Sequence, residues 1–134
     1  MATVSPLDNP EADPRVKAVF DDIRAVRGGD FINRFWRYLA FDPPLLEEVW
    51  RDVRDVMAKP TLIDPKTKEM IYLAVSVANA CTYCIHSHTA AARAKGMSDD
   101  EYAELLRIVS TAARTNHLVT AMQVPVDPEF DTDS

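Results

Sequence analysis

Three times in its first 65 residues the chain sets an aspartate directly before a proline at the head of an apolar run: Asp13-Pro14, Asp42-Pro43 and Asp64-Pro65. An aspartate side chain accepts hydrogen bonds from the free N–H groups of a helix's first turn. Proline suits the first helical position, where its missing N–H would have had no partner. Each pair therefore predicts a helix start, and Ser98-Asp-Asp-Glu101 adds another as a capping box. Apolar residues follow at helical spacing: Val16, Val19, Phe20 and Ile23 after the first, and Leu46, Val49, Trp50, Val53 and Met57 after the second. Gly28-Gly29 and Gly96 read as stops. No alternating apolar–polar run suggests a strand, so the fold class is all-α, built from short helices.

The remaining elements follow from the same signals. Residues 1–12, with Pro6 and Pro10, read as a flexible arm, residues 13–123 as a single helical domain, and residues 124–134 as an acidic tail. Asp30 is expected to cap a short aromatic segment ending at Asp42. The helix opened by Pro65 is apolar almost all round from Met70 to Ala80, which places it in a core or a subunit interface. One helix is expected from Ser98 through Tyr102, Leu105, Leu106 and Val109, and a last one over about 110–122. The aromatic residues Phe31, Phe35, Trp36, Tyr38 and Trp50 either fill the domain's own core or close in a homo-oligomer.

The chain's 134 residues suit one domain or one subunit of an assembly. A formal net charge of −6 opposes nucleic acid and anionic membrane surfaces as partners. No window approaches the roughly 20 apolar residues that span a bilayer. The segment MATVSPLDNPEADP, without a basic start or an apolar run, does not read as a signal peptide, so the expected location is the cytoplasm. In that compartment, two cysteines three apart point to catalysis or metal binding before a structural disulfide.

Both cysteines and two of the three histidines fall within CTYCIHSH, Cys81 to His88. On a helix at about 100° per residue, Cys81, Cys84 and His88 share an arc of about 60°, while Tyr83 and His86 fall on the far side. Thiols in a helix's first turn see its positive end and are acidified, and a histidine one turn on can accept or return a proton. This favours a reactive dithiol. Zinc would find Cys81, Cys84 and one histidine, but a structural site wants four ligands, and only His117 remains elsewhere. Tyr83 and His86 are candidates for a pocket wall or rim, His86 otherwise a surface or interface residue. His117 reads as structural or exposed, and Asn79 as a cap for the cysteine helix in preference to a substrate contact.

Glu69, Cys81, Cys84 and His88 together spell E-x11-C-x-x-C-x3-H. With the surrounding KEMIYLAVSVANACTYCIHSHTAAARAKGMSDDE, this resembles the AhpD-like members of the carboxymuconolactone decarboxylase family over about Lys66 to Leu106. The resemblance implies an all-α subunit in a homotrimer or homohexamer that reduces alkyl hydroperoxides without metal or organic cofactor. It implies Cys84 as the peroxidatic thiol, Cys81 as the more exposed resolving thiol, and His88 with Glu69 as the proton relay. It also implies a dithiol reductant, such as dihydrolipoyl groups on a partner protein. Two features depart from relatives: some members carry histidine where this chain has Tyr83, and the family's decarboxylases lack the paired cysteines. A phenol, with a reference pKa of about 10, is a poorer proton carrier near neutral pH than imidazole. Position alone would also allow Glu69 to be a solvated first-turn carboxylate after Lys66 and Lys68. The alternatives are a CxxC oxidoreductase acting on protein or small-molecule disulfides, and a non-enzymatic zinc-binding or redox-sensing oligomer.

Overall fold

Each aspartate–proline pair opens a helix in the computed structural model, which describes residues 1–131. Among these residues there is no strand, so the all-α expectation holds. The end of the expected acidic tail, residues 132–134, lies outside the described residues. The chain divides into two compact units, Met1–Thr61 and the residues from Leu62 onward.

In the first unit, a 3-10 turn over Pro10–Ala12 precedes α1 (Pro14–Arg27), α2 (Arg34–Leu39) and α3 (Pro43–Val53), which runs on into a π turn at Arg54–Ala58. The expected flexible arm thus ends in a turn, and its Glu11 pairs with Arg24 at 2.6 Å. Arg15 N–H donates to the Asp13 side chain at 2.8 Å, and Leu45 N–H to Asp42 at 3.3 Å. Gly28 ends α1 in the left-handed region at φ +74°, where glycine avoids the clash that a Cβ would make. Asp30 does not cap α2, whose N-cap is Asn33. The intervening segment stays irregular while Ile32 is buried with Val16, Phe20, Ile23, Trp36, Leu46 and Trp50. Trp36 meets Trp50 edge to face at 5.4 Å, and the Trp50 indole N–H donates to Asp22 at 2.7 Å. Phe31 and Phe35 remain exposed, so the aromatic set is divided between core and surface.

The second unit holds α4 (Pro65–Ala78), α5 (Thr82–Ala94), α6 (Asp99–Met122) and a 3-10 turn at Pro128–Phe130. Thr67 N–H and hydroxyl both donate to Asp64, at 3.0 and 2.6 Å, fixing the start of α4. Ser98 and Glu101 form the reciprocal capping box of α6, both bonds at 3.0 Å. The two helices expected after Ser98 are a single continuous α6, since no glycine or proline interrupts residues 99–122. Leu73, Ala92, Met97 and Leu105 form the buried core, with Met70, Val77, Ile85, Tyr102 and Val109 packed against it. Leu73 comes from α4, Ala92 from α5 and Leu105 from α6, so this small core ties together the helices that carry the cysteine segment. Although α4 is apolar almost all round, Ile71 and Val75 are half exposed.

Leu73 is fully buried at the centre of this core, so Leu73→Ala is expected to destabilise the fold by about 2–5 kcal/mol. Ser98→Ala should cost about 1 kcal/mol through the lost cap. Chemical denaturation followed by circular dichroism checks both, and the order of the two effects is the discriminating result.

Candidate active site

Three residues, Asn79 to Cys81, join α4 to α5. Asn79 ends α4 instead of capping the cysteine helix: its N–H closes the last turn on Val75 O at 2.9 Å, and the N-cap position of the next helix falls two residues later, at Cys81. Ala80 follows at φ +54°, a left-handed conformation that costs an alanine roughly 1–2 kcal/mol. Cys81 N–H then donates back to Ser76 O at 3.0 Å, and Cys81 itself is the N-cap of α5. A turn this short leaves Cys81 no freedom to drift from the helix start.

The two thiols consequently differ. Cys84 N–H donates to Cys81 Sγ at 3.3 Å, the bond that an oxygen makes at most N-caps. The Cys84 side chain also hydrogen-bonds Cys81, and these two bonds hold the Cys81 thiol below its ordinary pKa. The positive end of α5 acts in the same direction. Burial, reinforced by the hydrogen bond to Cys81 and its charge, pushes Cys84 up to about 11. Of the two thiols, Cys81 is therefore the one that ionises more readily, and Cys84 the one that holds its proton. Both cysteines are free and half-buried.

Glu69 is not solvated: it is only 5% exposed, on the first turns of α4. Its two carboxylate oxygens are held separately. His88 Nδ1 lies 2.7 Å from Oε2, and Lys95 Nζ donates to Oε1 at 2.7 Å. Burial tends to raise the Glu69 pKa, but the hydrogen bonds from His88 and Lys95, with the charges of Lys95 and then His88, outweigh it and keep the carboxyl below its usual value. The sequence-predicted pair of Glu69 and His88 is therefore brought into contact, one helical turn from Cys84.

Tyr72 and Lys95 were not singled out by sequence reasoning. The Tyr72 ring stacks on His88, with centroids 3.8 Å apart and planes 23° from parallel. Burial, then the charges of Cys84, Cys81 and Glu69, push its phenol up, so it stands within electrostatic reach of both thiols and the carboxylate. The available signal was periodicity: Tyr72 is three residues after Glu69, and Lys95 seven after His88, each on its partner's helix face. The pocket candidates Tyr83 and His86 are both exposed, as is His117. Among the described residues, no group of three or more His, Cys, Asp or Glu side chains is arranged to hold a metal ion.

Cys81→Ser removes the sulfur that holds Cys84 at about 11 by hydrogen bonding and charge, but leaves the burial unchanged. Cys84 should then ionise at lower pH than in the native protein while remaining above a free thiol. Thiolate absorbance across an alkaline titration measures this, and an unchanged midpoint would show that burial alone sets it.

The profile of the carboxymuconolactone decarboxylase family matches residues 44–127, which include all four motif residues. The crystal structure of the alkylhydroperoxidase AhpD core from Rhodospirillum rubrum superposes with a TM-score of 0.95 at 61% sequence identity, covering 99% of this chain and 99% of that one. A comparison with curated proteins gives no match. With its family profile spanning the dithiol and the Glu69–His88 pair, and with an AhpD core sharing its whole length, the chain belongs to the carboxymuconolactone decarboxylase family.

Proposed function

We propose that this protein is a thiol-dependent reductase of organic hydroperoxides. The observation that carries the reading is a free CxxC dithiol one helical turn from a histidine bonded to a buried carboxylate. The likeness to an alkylhydroperoxidase AhpD core supports the same class of substrate.

His88 takes the Cys84 proton, and the Cys84 sulfur attacks the terminal oxygen of R–OOH. The O–O bond breaks, the departing alkoxide takes the proton from His88, and the alcohol leaves. Cys84 is then a sulfenic acid. The Cys81 thiolate attacks its sulfur, forming the disulfide and releasing hydroxide, which becomes water on protonation. One peroxide and two thiols thus give one alcohol, one water and one disulfide. A dithiol donor, of the dihydrolipoyl kind, restores the reduced pair and leaves as its own disulfide. Cys84 needs a base because its thiol is pushed up to about 11, and Glu69 fixes the His88 ring for that task. Positioned general acid–base help is worth roughly 10²–10⁴-fold. The exposed Ile108, Leu118, Val119 and Met122 of α6 favour an assembly that covers them, which the family resemblance would make a homotrimer or homohexamer.

One observation favours a second reading. Cys81 is the more readily ionised thiol and caps its helix, which suits direct thiol–disulfide exchange with a protein or small-molecule disulfide. The Cys81→Ser variant separates the two. After one equivalent of an organic hydroperoxide, intact mass should show one added oxygen on the variant, while the native protein loses two hydrogens and both free thiols. His88→Gln should slow the oxidation roughly 10²–10⁴-fold. A fully reduced variant under conditions that oxidise a control peroxidase would remove the peroxide assignment and leave disulfide exchange.

A further inference from the structure

The pairing of Glu69 with two basic partners raises a question of charge. One buried carboxylate needs one compensating positive charge, and two candidates reach it. Lys95 Nζ meets Oε1 and His88 Nδ1 meets Oε2, each at 2.7 Å. Lys95 ends α5 immediately before Gly96, whose φ of +100° turns the chain out of the helix. Its side chain is 37% exposed, so its ammonium keeps water while touching a carboxylate that is only 6% exposed. A cation at a helix C-terminus is also favoured by the backbone dipoles.

We propose that Lys95 is the charge partner of Glu69, and that it thereby leaves His88 as a neutral imidazole able to accept the Cys84 proton. The inference rests on the hydroperoxide reductase reading for its catalytic meaning, but the electrostatic claim stands on geometry. An ionised carboxylate only accepts hydrogen bonds, so the hydrogen at the His88 contact sits on Nδ1 and the lone pair on Nε2. Protonating Nε2 would add a second cation across the same carboxylate from Lys95, a like-charge penalty. Without Lys95, the buried Glu69 would instead draw that proton onto His88, and an imidazolium cannot act as a base.

The other groups around His88 do not supply the missing charge. From α4, Glu69 and Tyr72 face it, one an anion and the other a phenol stacked on the ring. On its own helix, Cys84 and the N-cap Cys81 cannot become cations, and His86, two residues away, is exposed on the opposite face. Lys66 of α4 is bonded to Glu101 of α6 at 2.8 Å, and Arg93 to Asp99 at 2.6 Å. Among the lysines and arginines, Lys95 is the one that donates a hydrogen bond to Glu69, and its charge acts on that carboxylate more strongly than that of His88.

The test is an NMR titration of the His88 ring in the full-length reduced protein, beside the pH dependence of Cys84 oxidation by an organic hydroperoxide. In Lys95→Met the ring should take up its proton about one pH unit higher than in the native protein. The acid limb of the oxidation profile should move with it, giving roughly tenfold slower oxidation on that limb. Lys95→Arg should restore both values. Lys95→Gln retains a neutral donor to Oε1, so a charge role predicts that it titrates like the methionine variant. It also serves as the test protein should Lys95→Met fail to fold, judged by circular dichroism. An unchanged or lowered ring midpoint in Lys95→Met or Lys95→Gln overturns the proposal. Because the titration needs no turnover, a protein that ignores peroxides but shows the shift would refute the reductase reading and leave the role of Lys95 standing.

Discussion

A carboxylate that is 5% exposed at Glu69 is the constraint around which the second unit is organised. An ionised group removed from water must find its partners within the protein. Here both come from α5, one at each carboxylate oxygen. Satisfying Oε2 with His88 and Oε1 with Lys95 sets the register of α4 against α5 over two helical turns. A slip of one residue would rotate both partners away by about 100° and strand the charge. The apolar contacts of Leu73, Ala92 and Leu105 favour bringing the helices together, but they tolerate sliding more readily than a bidentate polar contact does.

The same register makes two identical side chains behave differently. Cys81 ends a three-residue turn and caps the next helix, so its sulfur collects donors from the Cys84 backbone and thiol. Cys84 lies one turn inside, where burial opposes ionisation and the neighbouring charge adds to that effect. In the proposed reductase reading the attacking thiol is therefore the harder one to deprotonate, which gives a nearby base its role. Tyr72 covers one face of the His88 ring, so the imidazole is held by stacking as well as by its hydrogen bond.

Signals confined to a few neighbouring residues were legible. The caps at Asp13, Asp42, Asp64 and Ser98 act on N–H groups two or three residues away, and all four form. The Asp30 expectation failed because burial of Ile32 outweighed a local preference, leaving Asn33 to begin α2. The two helices expected after Ser98 are one because no glycine or proline falls between residues 99 and 122. Asn79 looked like a cap for the wrong helix, because a turn of three residues leaves room for only one N-cap and Cys81 occupies it.

What the sequence by itself determined is the capped starts of α1, α3, α4 and α6, the dithiol at the beginning of α5, and the motif that joins Glu69 to it. Those features depend on spacing along the chain, where helical geometry converts residue number into direction. Tertiary structure alone decided that Glu69 is buried, that Lys95 shares it with His88, and that Tyr72 stacks on the imidazole. Glu69 stands 19 residues from His88 and 26 from Lys95. Contacts over such separations are created only when α4 and α5 pack, and the difference between the two thiols follows in part from how much water that packing excludes.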